Sequence, residues 1–390
     1  MHVFACAMAL VSGLGLSAQE AGDVGVDQLF DEPQADIDAQ AGDQSQPVQA
    51  FHAQPLTLSG SLTAVAGGVV GFVDQPSGYA FRMTPGISVV PSLTFVSRPD
   101  ETIRIQGTVT FASLSFAPVV SEMFFDYTLN NLVYLRAGMH AVSWGVTRFF
   151  DGGGDLMAGS GSGLDIKAVV PIGPGGATVV VLVPLQANIA GLSWRNLTYG
   201  AQADIPVGRS EILIAGTYLD SAATPLKATA VFKTSFLGID LFAEAIEAWT
   251  RAAGFTTPSV VGGFYWEQPQ PELKLYGEYY FNAADSGLAD HRVVLALGMD
   301  RAFGSPFNLG LEWVHAFMDN SGVVIPGVSF DLWPHVTAQV GLPVRYGSSA
   351  GFYLANPPPT IATTTSANEI LPTWSQRYGI MFRLTLSTGF

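Results

Sequence analysis

The chain is 390 residues long, carries 43 glycines, and only 13% of its residues are charged, with a formal net charge of −15. Ordinary soluble domains are roughly 25% charged, so this density together with a positive mean hydropathy of +0.32 points to a membrane protein. Lys plus Arg number 17 against 32 Asp plus Glu, with no basic tract, which argues against nucleic-acid binding.

No run of ~18 apolar residues suits a spanning helix. The nearest, "ATVVVLVPLQANIAGLSW", is broken by Pro184, Gln186 and Asn188. A spanning structure without such helices has to be a closed β-barrel, in which strands satisfy one another's backbone groups.

In chain order, Val3 to Leu16 is an apolar stretch of signal-peptide length, followed by small residues to Ala18 and the polar "QEAGD". Residues 1–18 are therefore expected to be an export signal, although no Lys or Arg precedes the apolar run. Cys6 is the only cysteine and would leave with that signal, so no disulfide or thiolate metal site is expected. Residues 19–55 carry Glu20, Asp23, Asp27, Asp31, Glu32, Asp36, Asp38 and Asp43 with no Lys or Arg. They are expected to be a disordered acidic segment on the periplasmic side. Its "VDQLFDEP" is open to two readings, a recognition segment for a periplasmic partner or an occupant of a barrel mouth.

From Leu56 to Phe390 the chain reads as strands and turns. In "ETIRIQGTVTF", Ile103, Ile105, Val109 and Phe111 share one face, while Arg104, Gln106, Thr108 and Thr110 share the other. "PELKLYGEYYFN" alternates likewise, with Leu273, Leu275, Tyr279 and Phe281 opposing Lys274, Tyr276, Glu278 and Asn282. Turn signals divide the segment into about 18 candidate strands, with about 14 to 18 compatible with the pattern. Alternate connections are very short, among them "SRPD", "IGPGG", "PVGRS", "FLG" and "FGSP"; those between tend to be longer, notably Ala141 to Gly163 and Gly347 to Thr373. The expected fold is an all-β, transmembrane, antiparallel up-and-down barrel, short turns periplasmic and long loops outside.

The last fourteen residues, "RYGIMFRLTLSTGF", put Tyr378, Ile380, Phe382, Leu384, Leu386, Thr388 and Phe390 on one row. This ending resembles the terminal assembly signal of bacterial outer-membrane proteins. Its recognition elements here would be Tyr378, Phe382, Leu384, Leu386 and the aromatic last residue Phe390, with Thr388 departing from the frequent aromatic two places earlier. The resemblance implies the barrel-assembly machinery as a partner and the outer membrane of a diderm bacterium as the location.

A barrel of about 16 to 18 strands has room for an aqueous channel. By parity its inward charges include Arg104, Arg136, Lys167, Lys227, Lys233, Lys274, Arg292 and Arg383 against Asp165, Asp204, Glu211, Asp240, Glu244, Glu272, Glu278, Asp300, Glu312 and Asp331, so neither sign dominates. His315 is expected on the lipid side or at the interface. The stretch "AGMHAVSWGVTRFFDGGGDLMAGSGSG" continues the inward row of Tyr134 and Arg136 through His140 and Trp144, then brings Arg148, two Phe, Asp151 and Asp155 in a Gly-rich run. Glycine lets a loop turn sharply and approach a wall closely. This stretch resembles a motif of large porin-like barrels, in which a Trp-Gly pair leads into aromatics and an Asp; "DGGGD" departs from the Pro-containing turn. The alternative is an outer hairpin whose aromatics join the interfacial girdle.

The expected function is passive passage of small solutes, narrowed by loop 143–163, with Arg104, Arg136, His140, Trp144, Arg148, Asp151, Asp155, Lys274 and Glu278 as lining candidates. Two other classes compete: a transporter of hydrophobic, fatty-acid-like compounds, and a non-transporting surface adhesin or scaffold carrying "LANPPPTIATTTSANEILP". No cofactor or metal site is expected, because the histidines lack ligand spacing and two carboxylates in a flexible loop are too few. No HExxH, P-loop or GxSxG motif marks an enzyme.

Overall fold

The computed structural model describes residues 54–75, 78–111, 117–130, 132–142, 144–150, 156, 163–184, 193–269, 272–282, 290–348, 351–355 and 377–389. The expected export signal, nearly all of the acidic segment, Asp151, Asp155 and Phe390 lie outside the described residues.

Twenty strands follow one another: β1 (Gln54–Gln75), β2 (Gly78–Arg98), β3 (Ile103–Phe111), β4 (Pro118–Leu129), β5 (Val133–Met139), β6 (Gly163–Ile172), β7 (Gly175–Pro184), β8 (Thr198–Val207), β9 (Ser210–Tyr218), β10 (Leu226–Phe236), β11 (Ile239–Thr250), β12 (Gly254–Phe255), β13 (Ser259–Pro269), β14 (Glu272–Asn282), β15 (Asp290–Met299), β16 (Phe307–Ala316), β17 (Ser321–Trp333), β18 (Val336–Gly341), β19 (Val344–Tyr346) and β20 (Tyr378–Gly389). β12 only extends the loop beyond β11, pairing with its last two residues. β18 and β19 are two halves of one wall strand, interrupted at Leu342 and Pro343, where the missing N–H of proline breaks the ladder. Eighteen strands therefore form the wall, each antiparallel to its chain neighbours, and β20 closes on β1 from Ser61↔Gly389 to Phe72↔Tyr378. The expected barrel and its strand number are observed, and the first strand starts at Gln54 rather than Leu56.

The short connections expected at one end are the turns observed there. Leu237 and Gly238 both adopt positive φ, 54° and 78°, between β10 and β11. Two successive left-handed residues give the turn whose twist matches that of a hairpin, and glycine adopts the second position without Cβ strain.

Period-2 alternation sorts the side chains into a wall with two faces. On β20, Tyr378, Ile380, Phe382 and Leu384 are exposed, whereas Arg383 and Thr385 are buried toward the interior. Leu164 and Ile166 on β6 are exposed while Asp165 between them is buried. Every Lys and Arg inside a described strand falls on the inward row. His315 is outward: the Trp313 indole N–H donates to Tyr346 Oη at 2.8 Å, and His315 Nδ1 lies 2.9 Å from that oxygen.

The interior is packed on one side. One cluster joins Val261, Tyr276, Val294, Val314 and Val323 of β13 to β17 with Phe149, Phe150 and Tyr353. A second joins Val180, Leu182, Leu213 and Val231 of β7, β9 and β10 with Val142, Trp144 and Leu156. Wall residues that would otherwise face water are covered by chain that has left the wall.

Candidate functional site: a loop clamped across the lumen

β5 presents Tyr134, Arg136 and Gly138 inward. Gly138, with φ 146°, turns the chain off the wall, and a Cβ there would collide with the Met123 carbonyl of β4. Immediately beyond, His140 Nδ1 lies 2.9 Å from Asp165 Oδ1 of β6, with both side chains buried, although not in hydrogen-bond geometry. The chain then crosses the interior. Trp144 is 4% exposed, packed with Val142 and Leu156 over the apolar wall of β7 to β10.

Two wall carboxylates receive the crossing chain. The Val146 N–H donates to Glu244 of β11 at 3.1 Å, and the other Glu244 oxygen accepts the Thr229 hydroxyl at 3.1 Å. Glu278 of β14 accepts three consecutive amides, from Arg148 at 2.5 Å, Phe149 at 3.2 Å and Phe150 at 3.1 Å, together with the Tyr276 hydroxyl. Burying a carboxylate is costly unless donors replace its water. Glu278 is 2% exposed and has four donor groups, three loop amides and the Tyr276 hydroxyl of its own strand, in place of water. Hydrogen bonds to charged groups contribute about 1.5–3 kcal/mol each, which makes this a strong attachment of the loop to the far wall. Ring contacts add to it: Phe149 lies 5.5 Å from Tyr276, Phe150 lies 5.5 Å from Tyr280, and the Arg148 guanidinium lies 5.4 Å from the Tyr276 ring.

A second loop also turns inward. Asp319, between β16 and β17, accepts the Ser321 N–H at 2.9 Å and the Phe352 N–H, and Ser321 Oγ accepts the Tyr353 N–H at 3.1 Å. These bonds hold a short helical turn, Phe352–Ala355, which places Tyr353, fully buried, in the same cluster as Phe149 and Phe150. Burial pulls the Asp319 carboxyl upward, yet the Phe352 and Ser321 donors outweigh it and hold it below its ordinary value of 3.8.

The side of the interior formed by β3 to β6 is polar. Arg136 makes a forked pair with Asp126 at 2.7 and 3.1 Å and lies 4.0 Å above the Phe124 ring. Arg104 stands 4.0 Å from the same carboxylate, and Gln106 donates to Glu122 at 3.1 Å. On β20, Nε and Nη2 of the buried Arg383 have no hydrogen-bond partner among the described residues.

The structure thus brings His140, Trp144, Arg148 and Glu278 together at the crossing loop and places Arg104 and Arg136 in the polar network. Lys274 is elsewhere: it pairs with Asp300 at 3.1 Å, at the short-turn end of β14. Sequence reasoning did not single out Glu244 as a loop anchor or include Tyr353 and Arg292 at the site. One signal for the covered side was legible, since the inward row is apolar at Val180, Leu182, Leu213 and Val231 but charged at Arg104, Arg136 and Lys167. Among the described residues no group of three or more His, Cys, Asp or Glu could hold a metal ion.

No family model matches the chain, and no curated protein does. Solved structures do match. OccK9 (OpdG) of Pseudomonas aeruginosa superposes with a TM-score of 0.53 at 12% identity, covering 85% of this chain and 98% of its own. OccD3 (OpdP) of the same organism gives 0.52 at 10% identity, covering 87% and 93%. This chain has the fold of those barrels. OccK2 (OpdF), solved in complex with glucuronate, matches at 0.51 and 10% identity over 86% of this chain and 99% of that one. At such identities the likeness extends to architecture alone.

Proposed function

We propose that the protein is an outer-membrane channel for small solutes, narrowed by the loop that leaves β5 and crosses to β11 and β14. The observation that carries this reading is the Glu278 clamp, a wall carboxylate binding three successive loop amides. A loop held at that point occupies one side of the bore and leaves the polar side of β2 to β6 and β18 to β20 as the passage. The wall of β2 and β19 to β20 places Arg82, Arg345 and Arg383 on the inward row. With Arg104, Arg136 and Lys167, that side carries six inward basic residues against the three acids Glu122, Asp126 and Asp165. The passage therefore favours anionic solutes, and a glucuronate-bound relative in fold is consistent with that preference. The apolar row from Tyr378 to Leu386 is the segment the assembly machinery would read, and lipid would solvate the outward face.

Planar-bilayer recording tests the reading. Purified protein is expected to give discrete conductance steps, a larger conductance after deletion of residues 152–161, and a reversal potential of anion-selective sign in a KCl gradient. Silent bilayers would remove the channel reading, and unchanged conductance after the deletion would remove the constriction.

A further inference from the structure

Arg292 of β15 stands where the two inward loops meet. Its guanidinium is paired with Asp290 of the same strand, Nε to Oδ1 at 3.0 Å and Nη2 to Oδ2 at 2.9 Å. Three aromatic rings surround it: Tyr280 of the neighbouring strand at 4.4 Å, Phe150 of the crossing loop at 5.3 Å, and Phe352 of the helical turn at 5.1 Å. A cation within about 6 Å of a ring face is attracted by the ring quadrupole, more strongly when water is excluded. Here the side chains of both Arg292 and Asp290 are mostly buried.

We infer that Arg292 is a positioning residue that couples the outer loop after β19 to the aperture set by the loop after β5. The coupling runs through a continuous chain of contacts. Asp319 fixes the backbone of the helical turn, Phe352 lies against Arg292, Arg292 lies against Phe150, and the Phe150 amide is the last of the three on Glu278. Tyr353 adds a second, apolar contact, since it is fully buried in the cluster that contains Phe149 and Phe150. Displacing the turn Phe352–Ala355 removes one ring from the guanidinium and opens the flank of the Phe149–Phe150 segment to water. A partner or solute that displaces the helical turn would thereby loosen the narrowing without touching the passage. This coupling goes beyond the channel reading and gains its transport meaning from it, but the contact chain exists independently.

Two measurements separate the ideas. Hydrogen exchange of the Arg148, Phe149 and Phe150 amides reads the clamp directly, and single-channel conductance reads its effect on passage. Phe352→Leu, which keeps bulk but has no ring, and Arg292→Met are each expected to speed exchange of those amides at least tenfold and to raise conductance. Phe352→Tyr keeps the ring and should behave as the parent. The double variant should exchange no faster than the faster single variant, because both break the link between Arg292 and Phe352. Unchanged exchange in Phe352→Leu overturns the coupling, as do additive effects in the double variant. If Arg292→Met fails to give the heat-modifiable band of a folded barrel, the Phe352→Leu and Phe352→Tyr pair carries the test. Silent bilayers with the expected exchange pattern would sink the channel reading and leave the coupling standing.

Discussion

A carboxylate with four donors around it is sensitive to a change of one atom. Glu278→Gln replaces one acceptor oxygen with an amide group that meets the loop N–H groups donor to donor. Losing two charge-assisted bonds at about 1.5–3 kcal/mol each should raise the population of the released loop at least roughly 100-fold, and up to roughly 10⁴-fold, allowing about 1.4 kcal/mol per factor of ten. Larger and noisier conductance steps are the expected reading; steps identical to those of the parent would mean that the clamp does not define the aperture. Gly138 is sensitive for a different reason. At φ 146°, with the Met123 carbonyl where a Cβ would sit, Gly138→Ala should lower stability by about 1–3 kcal/mol, measured as a lower urea midpoint in detergent. Both residues were partly visible from sequence. Glu278 fell on the inward row by parity and Gly138 closed a strand before a Trp-Gly pair. What alternation does not encode is which loop atoms an inward carboxylate will meet, because Glu278 and its amide donors lie about 130 residues apart. Glu244 was indistinguishable from the other lumen acids for the same reason.

Strands and hairpin turns were the most legible elements, since alternation and turn chemistry are local properties of a few neighbouring residues. The inward fold of residues 351–355 was not legible: Phe352 and Tyr353 look like any aromatic pair in a long loop, and the group that fixes them, Asp319, sits on another loop. That anchor carries a pH prediction. The folded pKa of Asp319 is depressed, so its contribution is fully present above the ordinary value of 3.8 and is lost as pH falls through the lower folded value. Pepsin cleavage at the Phe352–Tyr353 bond of the folded barrel, normalised to an unfolded control, should therefore rise as pH drops below 3.8, and Asp319→Asn should be cut readily at pH 4 as well. A parent and variant with the same cleavage profile would show that Asp319 does not hold the turn.

Across the whole barrel, the outward rows of the described strands carry no Lys or Arg, which supports the membrane location proposed above. Placing Arg at an outward position near mid-wall, as in Leu384→Arg, should cost about 2–4 kcal/mol, seen as a smaller fraction of heat-modifiable barrel after refolding into vesicles. Equal refolding would argue against hydrocarbon contact at that strand. The global architecture was readable in advance because composition, turn spacing and the terminal row all favoured one closed sheet. The seam between the first and last strands has its own kinetic meaning. Twelve rungs, from Ser61↔Gly389 to Phe72↔Tyr378, join residues separated by nearly the full chain length. Contacts of such long range are slow to form, since the entropy of bringing distant segments together precedes any gain from pairing. The hairpins along the chain can each be made as soon as their own residues exist, but the cylinder stays an open sheet, with two raw edges, until its final twelve residues arrive. Refolding should then show an early gain of β-structure followed by a separate, slower acquisition of resistance to protease, and a chain lacking β20 should achieve the first and never the second.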